Sequence, residues 1–354
     1  MNRRDFYKLF AILLCIAFMF TQVFSFGAVS QDVYAETGEG DLEFNSPFGV
    51  EYSPDGSLIA VTNATKGELQ IINASNGNVV RNVKLNGEPR GLAWSGDFVY
   101  VAEYGAGTVA EVNSNNGDVE RRFETGPKSV DVAVAAGGEK LVVTEYGLAQ
   151  VNIIDLESGD KIGDVDVNNY PYHVDVTVDG QYAIVGHQIG AGDASKVDHS
   201  TTVSFVDVNN LEVTSNVKLP TGSSNVRDIV VSPDGKWAYV AHTIGKITLP
   251  TTQLTKGWVN TNVVSILDVE NQDIYTTFLL DRMMEGAADP WGITISADGK
   301  TLWVTSSGAH QVLKVDLEGL FYLMEGNAPE MEQIPEMHDW YRLQNMLPST
   351  PRSL

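Results

Sequence analysis

The chain has 354 residues, 43% of them hydrophobic, and carries 46 acidic against 23 basic groups, a formal charge of −23 at pH 7. That is ample for a sizeable core, and all-β folds of this length form one domain as readily as two. A surface this acidic repels nucleic acid and anionic lipid, which leaves cations, basic partners or plain solubility as its uses.

Residues 1–35 predict an export signal. Arg3, Arg4 and Lys8 precede an apolar run from Leu9 to Phe20, and Val33-Tyr34-Ala35 offers a small-residue cleavage site before Glu36. "NRRDFYK" is similar to a twin-arginine signal, the route that carries folded proteins, although paired arginines also occur in general export signals. Left uncleaved, Leu9 to Val29 would anchor the chain, the one membrane contact the sequence predicts. By either route the protein is expected to be extracytoplasmic, secreted or at the cell surface. Cys15, the only cysteine, lies in this segment, so the rest of the chain has no disulfide, no thiol nucleophile and no Cys-x-x-Cys-His for haem attachment.

After a lead-in over residues 36–45, residues 46–317 repeat a phrase about every 40 residues. Pro47, Pro89, Pro127 and Pro171 open "PFGVEYSPDGSLIAVTN", "PRGLAWSGDFVYVAEY", "PKSVDVAVAAGGEKLVVTEY" and "PYHVDVTVDGQYAIVGHQ". "NVRDIVVSPDGKWAYVAHT" and "PWGITISADGKTLWVTSS" follow from Asn225 and Pro290. Asp55-Gly56, Asp179-Gly180, Asp234-Gly235 and Asp298-Gly299 mark hairpins, and each unit predicts four short antiparallel strands. Units of this kind make the blades of an all-β propeller, six of them visible here.

The words also carry a resemblance. Ser232-Pro233-Asp234-Gly235-Lys236 and Tyr239-Val240-Ala241-His242 resemble the YVTN-type β-propeller repeat family, which implies the propeller fold and little about activity. Residues 318–354 read as an acidic connection into a seventh blade, because Pro351-Arg352-Ser353-Leu354 repeats the opening Pro89-Arg90-Gly91-Leu92. On that reading the complete protein has seven blades and this frame stops short. The alternative is a six-bladed ring closed by an N-terminal strand such as "DLEFN".

In a four-stranded meander the start of strand 1 and the connection from strand 2 to strand 3 share one face of the ring. Both long insertions, 190–202 and 244–262, fall in that connection, and lengthened loops on one face of a repeat fold mark its binding side. The slots opening strand 1 hold Phe48, Arg90, Lys128, Tyr172, Arg227 and Trp291, followed by Gly49, Gly91, Ser129, His173, Asp228 and Gly292. The slot ending strand 2 holds Asn63, Glu103, Glu145, His187, His242 and Ser306. Arg90, Glu103, Glu145, His173, Arg227, Trp258 and Trp291 are therefore the expected ligand-binding residues, since guanidinium groups suit a carboxylate or phosphate. His187 and His242 on neighbouring blades are the expected ligands if a divalent metal binds. The bland reading of the strand 2 slot is that His and Glu satisfy a turn, as Asn does in the family.

Three functions are carried forward. The first is an exported binding or scaffold protein, not an enzyme, that takes a protein partner or small ligand on the loop-bearing face and requires no cofactor. The second rests on "LPTTQLTKGWVNTN" and "GAADPWG", which look like a branch of the family whose propellers accompany a c-type cytochrome or di-haem peroxidase domain. Haem would then come only from a downstream or partner domain. The third is a metal-dependent hydrolase or lactone-opening enzyme, which needs at least two of His187, His242, Glu103 and Glu145 to converge.

Overall fold

The computed structural model describes residues 45–190, 193, 196, 198–247, 259–281 and 286–325. The predicted export signal, Trp258 and the predicted start of a seventh blade lie outside the described residues.

The described chain is a β-propeller of six blades. The first is β1 (Pro47–Tyr52), β2 (Leu58–Asn63), β3 (Glu68–Asn73) and β4 (Val79–Lys84), and the second β5 (Pro89–Ser95), β6 (Phe98–Glu103), β7 (Thr108–Asn113) and β8 (Val119–Glu124). The third is β9 (Ser129–Val134), β10 (Lys140–Glu145), β11 (Gln150–Asp155) and β12 (Lys161–Asp166). The fourth is β13 (Pro171–Val176), β14 (Tyr182–His187), β15 (Thr202–Asp207) and β16 (Glu212–Lys218). The fifth is β17 (Ser223–Val231), β18 (Trp237–Gly245), β19 (Asn260–Asp268) and β20 (Asp273–Leu279), and the sixth β21 (Pro290–Ile295), β22 (Thr301–Ser306) and β23 (Gln311–Asp316). Every blade is an antiparallel meander in chain order. The sixth departs from expectation, with three strands among the described residues. Its chain continues as helix α1 (Leu317–Met324), where Asp316 caps the N-terminus by accepting the Gly319 amide.

The turn between strands 1 and 2 follows from four residue types. In Ser232-Pro233-Asp234-Gly235 the Ser232 hydroxyl donates to Asp234 Oδ1 at 2.5 Å, the Lys236 amide to the same oxygen at 3.1 Å, and the Trp237 amide to Ser232 Oγ at 2.9 Å. Gly235 closes the turn at φ 72, a left-handed conformation that an L side chain resists. The same bonds recur at Asp55, Asp179 and Asp298. A short side-chain acceptor thus does the work of a backbone carbonyl in each turn.

Alternation sends one set of side chains from each strand towards the preceding blade and the other towards the next. Five apolar layers result, one between each pair of successive blades from the first to the sixth. Leu317, Leu320 and Phe321 of α1 extend the last layer, with Phe321 stacked on Trp237 at 5.4 Å. Burying one Val, Leu or Ile contributes about 1.5–3 kcal/mol, so the layers dominate stability.

Among the described residues no such layer joins the sixth blade to the first. Val50 and Tyr52 are 69% and 60% exposed, whereas Leu92 and Trp94, their counterparts in the second blade, are 9% and 8% exposed. On the far side Val312 and Trp303 are exposed, while the corresponding Val264 and Tyr239 of the fifth blade are buried.

Candidate functional site

Pairing of strand 1 with strand 2 brings Pro47 opposite Asn63, Pro89 opposite Glu103, Pro171 opposite His187 and Pro290 opposite Ser306. The ends that carry strand 1 openings therefore also carry the connections between strands 2 and 3, including 188–201 and 246–259. The points where both insertions leave and rejoin the described chain thus lie on the same face as the channel mouth.

The inner strands enclose a central cavity of about 550 Å³, lined by residues of all six blades. Register corrects the sequence alignment in the third blade. Val132 pairs with Val143 as Val174 pairs with Val185, so Val130 and Asp131 occupy the slots assigned to Lys128 and Ser129. Pro127 misled the comparison because Lys128 adopts a positive φ of 70 and the strand starts later. The innermost ring thus reads Gly49, Gly91, Asp131, His173, Asp228, Gly292.

His173 bridges its two neighbours. Its Nδ1 lies 2.8 Å from Asp131 Oδ2 and its Nε2 lies 2.7 Å from Asp228 Oδ1. Burial opposes a charge on the ring, but Asp228 and Asp131 outweigh it and raise its pKa well above 6.5. The carboxylates also tie blades together: Asp131 accepts the Val174 amide at 3.0 Å and Asp228 the Ile293 amide at 2.7 Å. Gly91 is required beside this clamp, since a Cβ there would fall 1.8 Å from Asp131 Oδ1. Deeper in the channel Asp175 accepts the Val231 amide. Glu51, reached by solvent but enclosed by the channel wall, is pushed up to about 8 by desolvation first and by Asp131 and Asp175 second.

At the mouth, aromatic rings hold cations. Phe48 stands edge-on to Trp291 at 6.2 Å and tilted to Tyr172 at 6.4 Å, so it reaches both the sixth and the fourth blade. The Arg227 guanidinium lies 4.5 Å from the Trp291 ring and 5.5 Å from Tyr172. Arg90 sits 3.4 Å over Tyr104 and pairs with Glu88 at 2.9 Å. Lys128 lies over Tyr146, which leans on Tyr170 at 5.0 Å. Cation–π contact of this kind keeps a charge in place where little water reaches it.

Of the residues expected from sequence, Arg90, His173, Arg227 and Trp291 do come together around the mouth and the upper channel. Glu103, Glu145, His187 and His242 do not. All four are buried inside their own blades. Glu103 accepts the Asn86 amide, the Thr108 hydroxyl and Arg122. Glu145 accepts the Ser129 hydroxyl, and burial raises its pKa. Ser204 gives its proton to Asn216, so His187 Nε2 donates to Ser204 Oγ at 2.8 Å, while His242 Nε2 meets Ser265 Oγ at 2.7 Å. Burial depresses both imidazoles to about 4. These positions follow from geometry: strand 2 lies one strand outside the channel wall, so its last side chain turns into the blade. No three His, Cys, Asp or Glu side chains gather around a metal position among the described residues. Asp131, Asp175 and Glu51 were missed by sequence reasoning. Counting back from Gly137-Gly138, which stands where four other blades have Asp-Gly, rather than forward from Pro127 would have reached Asp131.

No family model matches the chain. It is 27% identical over 182 residues to hydrazine synthase subunit beta of Kuenenia stuttgartiensis, a match that takes in 51% of this chain and 45% of that protein. The chain thus spans less than half the length of this curated relative. Its fold is similar to a chain of Kuenenia stuttgartiensis hydrazine synthase, with a TM-score of 0.74, 22% identity, and coverage of 88% of this chain and 86% of that one. A chain of a mitotic checkpoint complex gives a TM-score of 0.60 at 14% identity over 77% of this chain and 75% of its own. Such distant likenesses establish the propeller and leave the activity open.

Proposed function

We propose that this chain is the propeller subunit, or propeller domain, of an exported multi-subunit redox enzyme, and that it serves as a docking platform rather than as the catalytic centre. The observation that carries this reading is the match to a protein named as one subunit of hydrazine synthase. The resemblance of "LPTTQLTKGWVNTN" and "GAADPWG" to propellers that accompany c-type cytochromes supports it. The partner would be a c-type cytochrome domain or subunit bearing the haem, and the docking face the one with the channel mouth, where Arg90, Lys128 and Arg227 supply positive charge on a chain of net charge −23. Charge complementarity there would set orientation and encounter rate more than affinity.

Tagged chain purified from its own organism tests the proposal. A stoichiometric haem-staining partner, with a Soret band in the same chromatographic peak, is the expected result. A propeller that elutes alone at low and moderate salt, with no haem in the fraction, would count against it.

A further inference from the structure

Arg227 is the exception among the described arginines. Arg90, Arg121 and Arg122 each pair with a carboxylate, and Arg81 donates to the carbonyls of Val80 and Asn115. Arg227 has no carboxylate within ion-pair distance among the described residues, in a chain with twice as many acids as bases. Its Nε is buried with no hydrogen-bond acceptor. What holds the group is aromatic: the Trp291 and Tyr172 rings lie 4.5 and 5.5 Å from it, and Phe48 packs on both. A guanidinium held by aromatic rings at the mouth of a cavity, with no carboxylate partner of its own, is suited to pairing with an anion from solution.

We propose that the channel mouth binds a small organic monocarboxylate, its carboxylate paired with the Arg227 guanidinium where that group lines the cavity and its apolar body against Trp291, Tyr172 and Phe48. The guanidinium edge presents two parallel donors at the spacing of a carboxylate's oxygens. Net charge of the ligand is decided by what lies below. Asp131, Asp175 and Asp228 line the same cavity, opposed by His173 and by Arg227 itself, so each further negative charge on the ligand is repelled. A dianion such as phosphate is therefore disfavoured where a single carboxylate is accepted. The aromatic walls reward a flat apolar body. This inference does not depend on a haem partner.

Calorimetric titration of the full chain with sodium benzoate is the test, with benzamide and inorganic phosphate as comparison probes. Saturable benzoate binding is expected, with no benzamide binding and weaker phosphate binding. Arg227→Gln should weaken benzoate by about tenfold or more and Arg227→Lys by less, since a lysine keeps the charge without the fork. Arg81→Gln should leave it unchanged. Should the Arg227 variants fail to fold, the benzoate and benzamide comparison on the unaltered chain still decides. Absence of benzoate binding, equal binding of benzamide, or phosphate binding as tight as benzoate would each overturn the proposal. Haem co-purification is read separately, so either idea can fail while the other stands.

Discussion

His187 and His242 carry acid sensitivity of one sign and His173 alkaline sensitivity of the other. Burial lowers the first two to about 4 from 6.5, a difference that corresponds to roughly 3 kcal/mol each by the usual conversion. Their contribution is complete above pH 6.5 and is lost as pH falls towards 4. The double change His187→Asn and His242→Asn should flatten the fall in melting temperature over that window. An unchanged acid limb would show that both rings titrate freely. For His173 the folded pKa is raised, so its contribution is complete below pH 6.5 and disappears as pH rises through the elevated value. His173→Gln should remove that alkaline loss and lower stability at pH 6 by about 3 kcal/mol, because Asp131 and Asp228 are left facing each other without a cation. Urea melts across the pH range measure both effects.

At the level of the hairpin, the strand 1 to strand 2 turn concentrates its stability in two residues. Gly235→Ala forces an alanine to φ 72 and should cost about 1–2 kcal/mol. Asp234→Ala removes the acceptor for Ser232 and the Lys236 amide and should cost about 1 kcal/mol. Gly245→Ala is the useful contrast, since its φ is not positive and its added Cβ would meet no atom nearer than 3.4 Å. That variant should lie within about 0.5 kcal/mol of the parent. Equal midpoints for all three in urea would mean that the turn bonds contribute nothing.

Across the whole ring, equivalent positions in different blades meet different surroundings. Tyr52→Lys and Val312→Lys fall on the uncovered faces of the first and sixth blades, and each should change stability by no more than about 0.5 kcal/mol. Trp94→Lys, at the position matching Tyr52 one blade further on, places an ammonium in a sealed layer and should cost more than about 3 kcal/mol. A large loss for Tyr52→Lys or Val312→Lys would reveal that something covers those faces in solution. Thermal melts of the three variants distinguish these outcomes directly.

The sequence by itself determined what is local or repeated. Strand alternation, the Ser-x-Asp-Gly turns and the spacing of the repeat each act within a few neighbouring residues, so the six blades over residues 46–317, their meander order and the face on which both insertions begin and end were all legible. Arg90, His173, Arg227 and Trp291 were legible too, because position at the start of strand 1 fixes proximity to the axis. Only the tertiary structure decided how deep each side chain lies and whom it meets. His187 and Glu103 share a slot with Asn63, yet that slot faces the blade interior, a matter of which strand lines the channel. The clamp of Asp131, His173 and Asp228 joins three blades, and the proline alignment hid Asp131 until backbone pairing corrected the register. That the described chain leaves β23 as helix α1 was likewise invisible, since the helix packs its apolar side on the layer between the fifth and sixth blades rather than following the repeat.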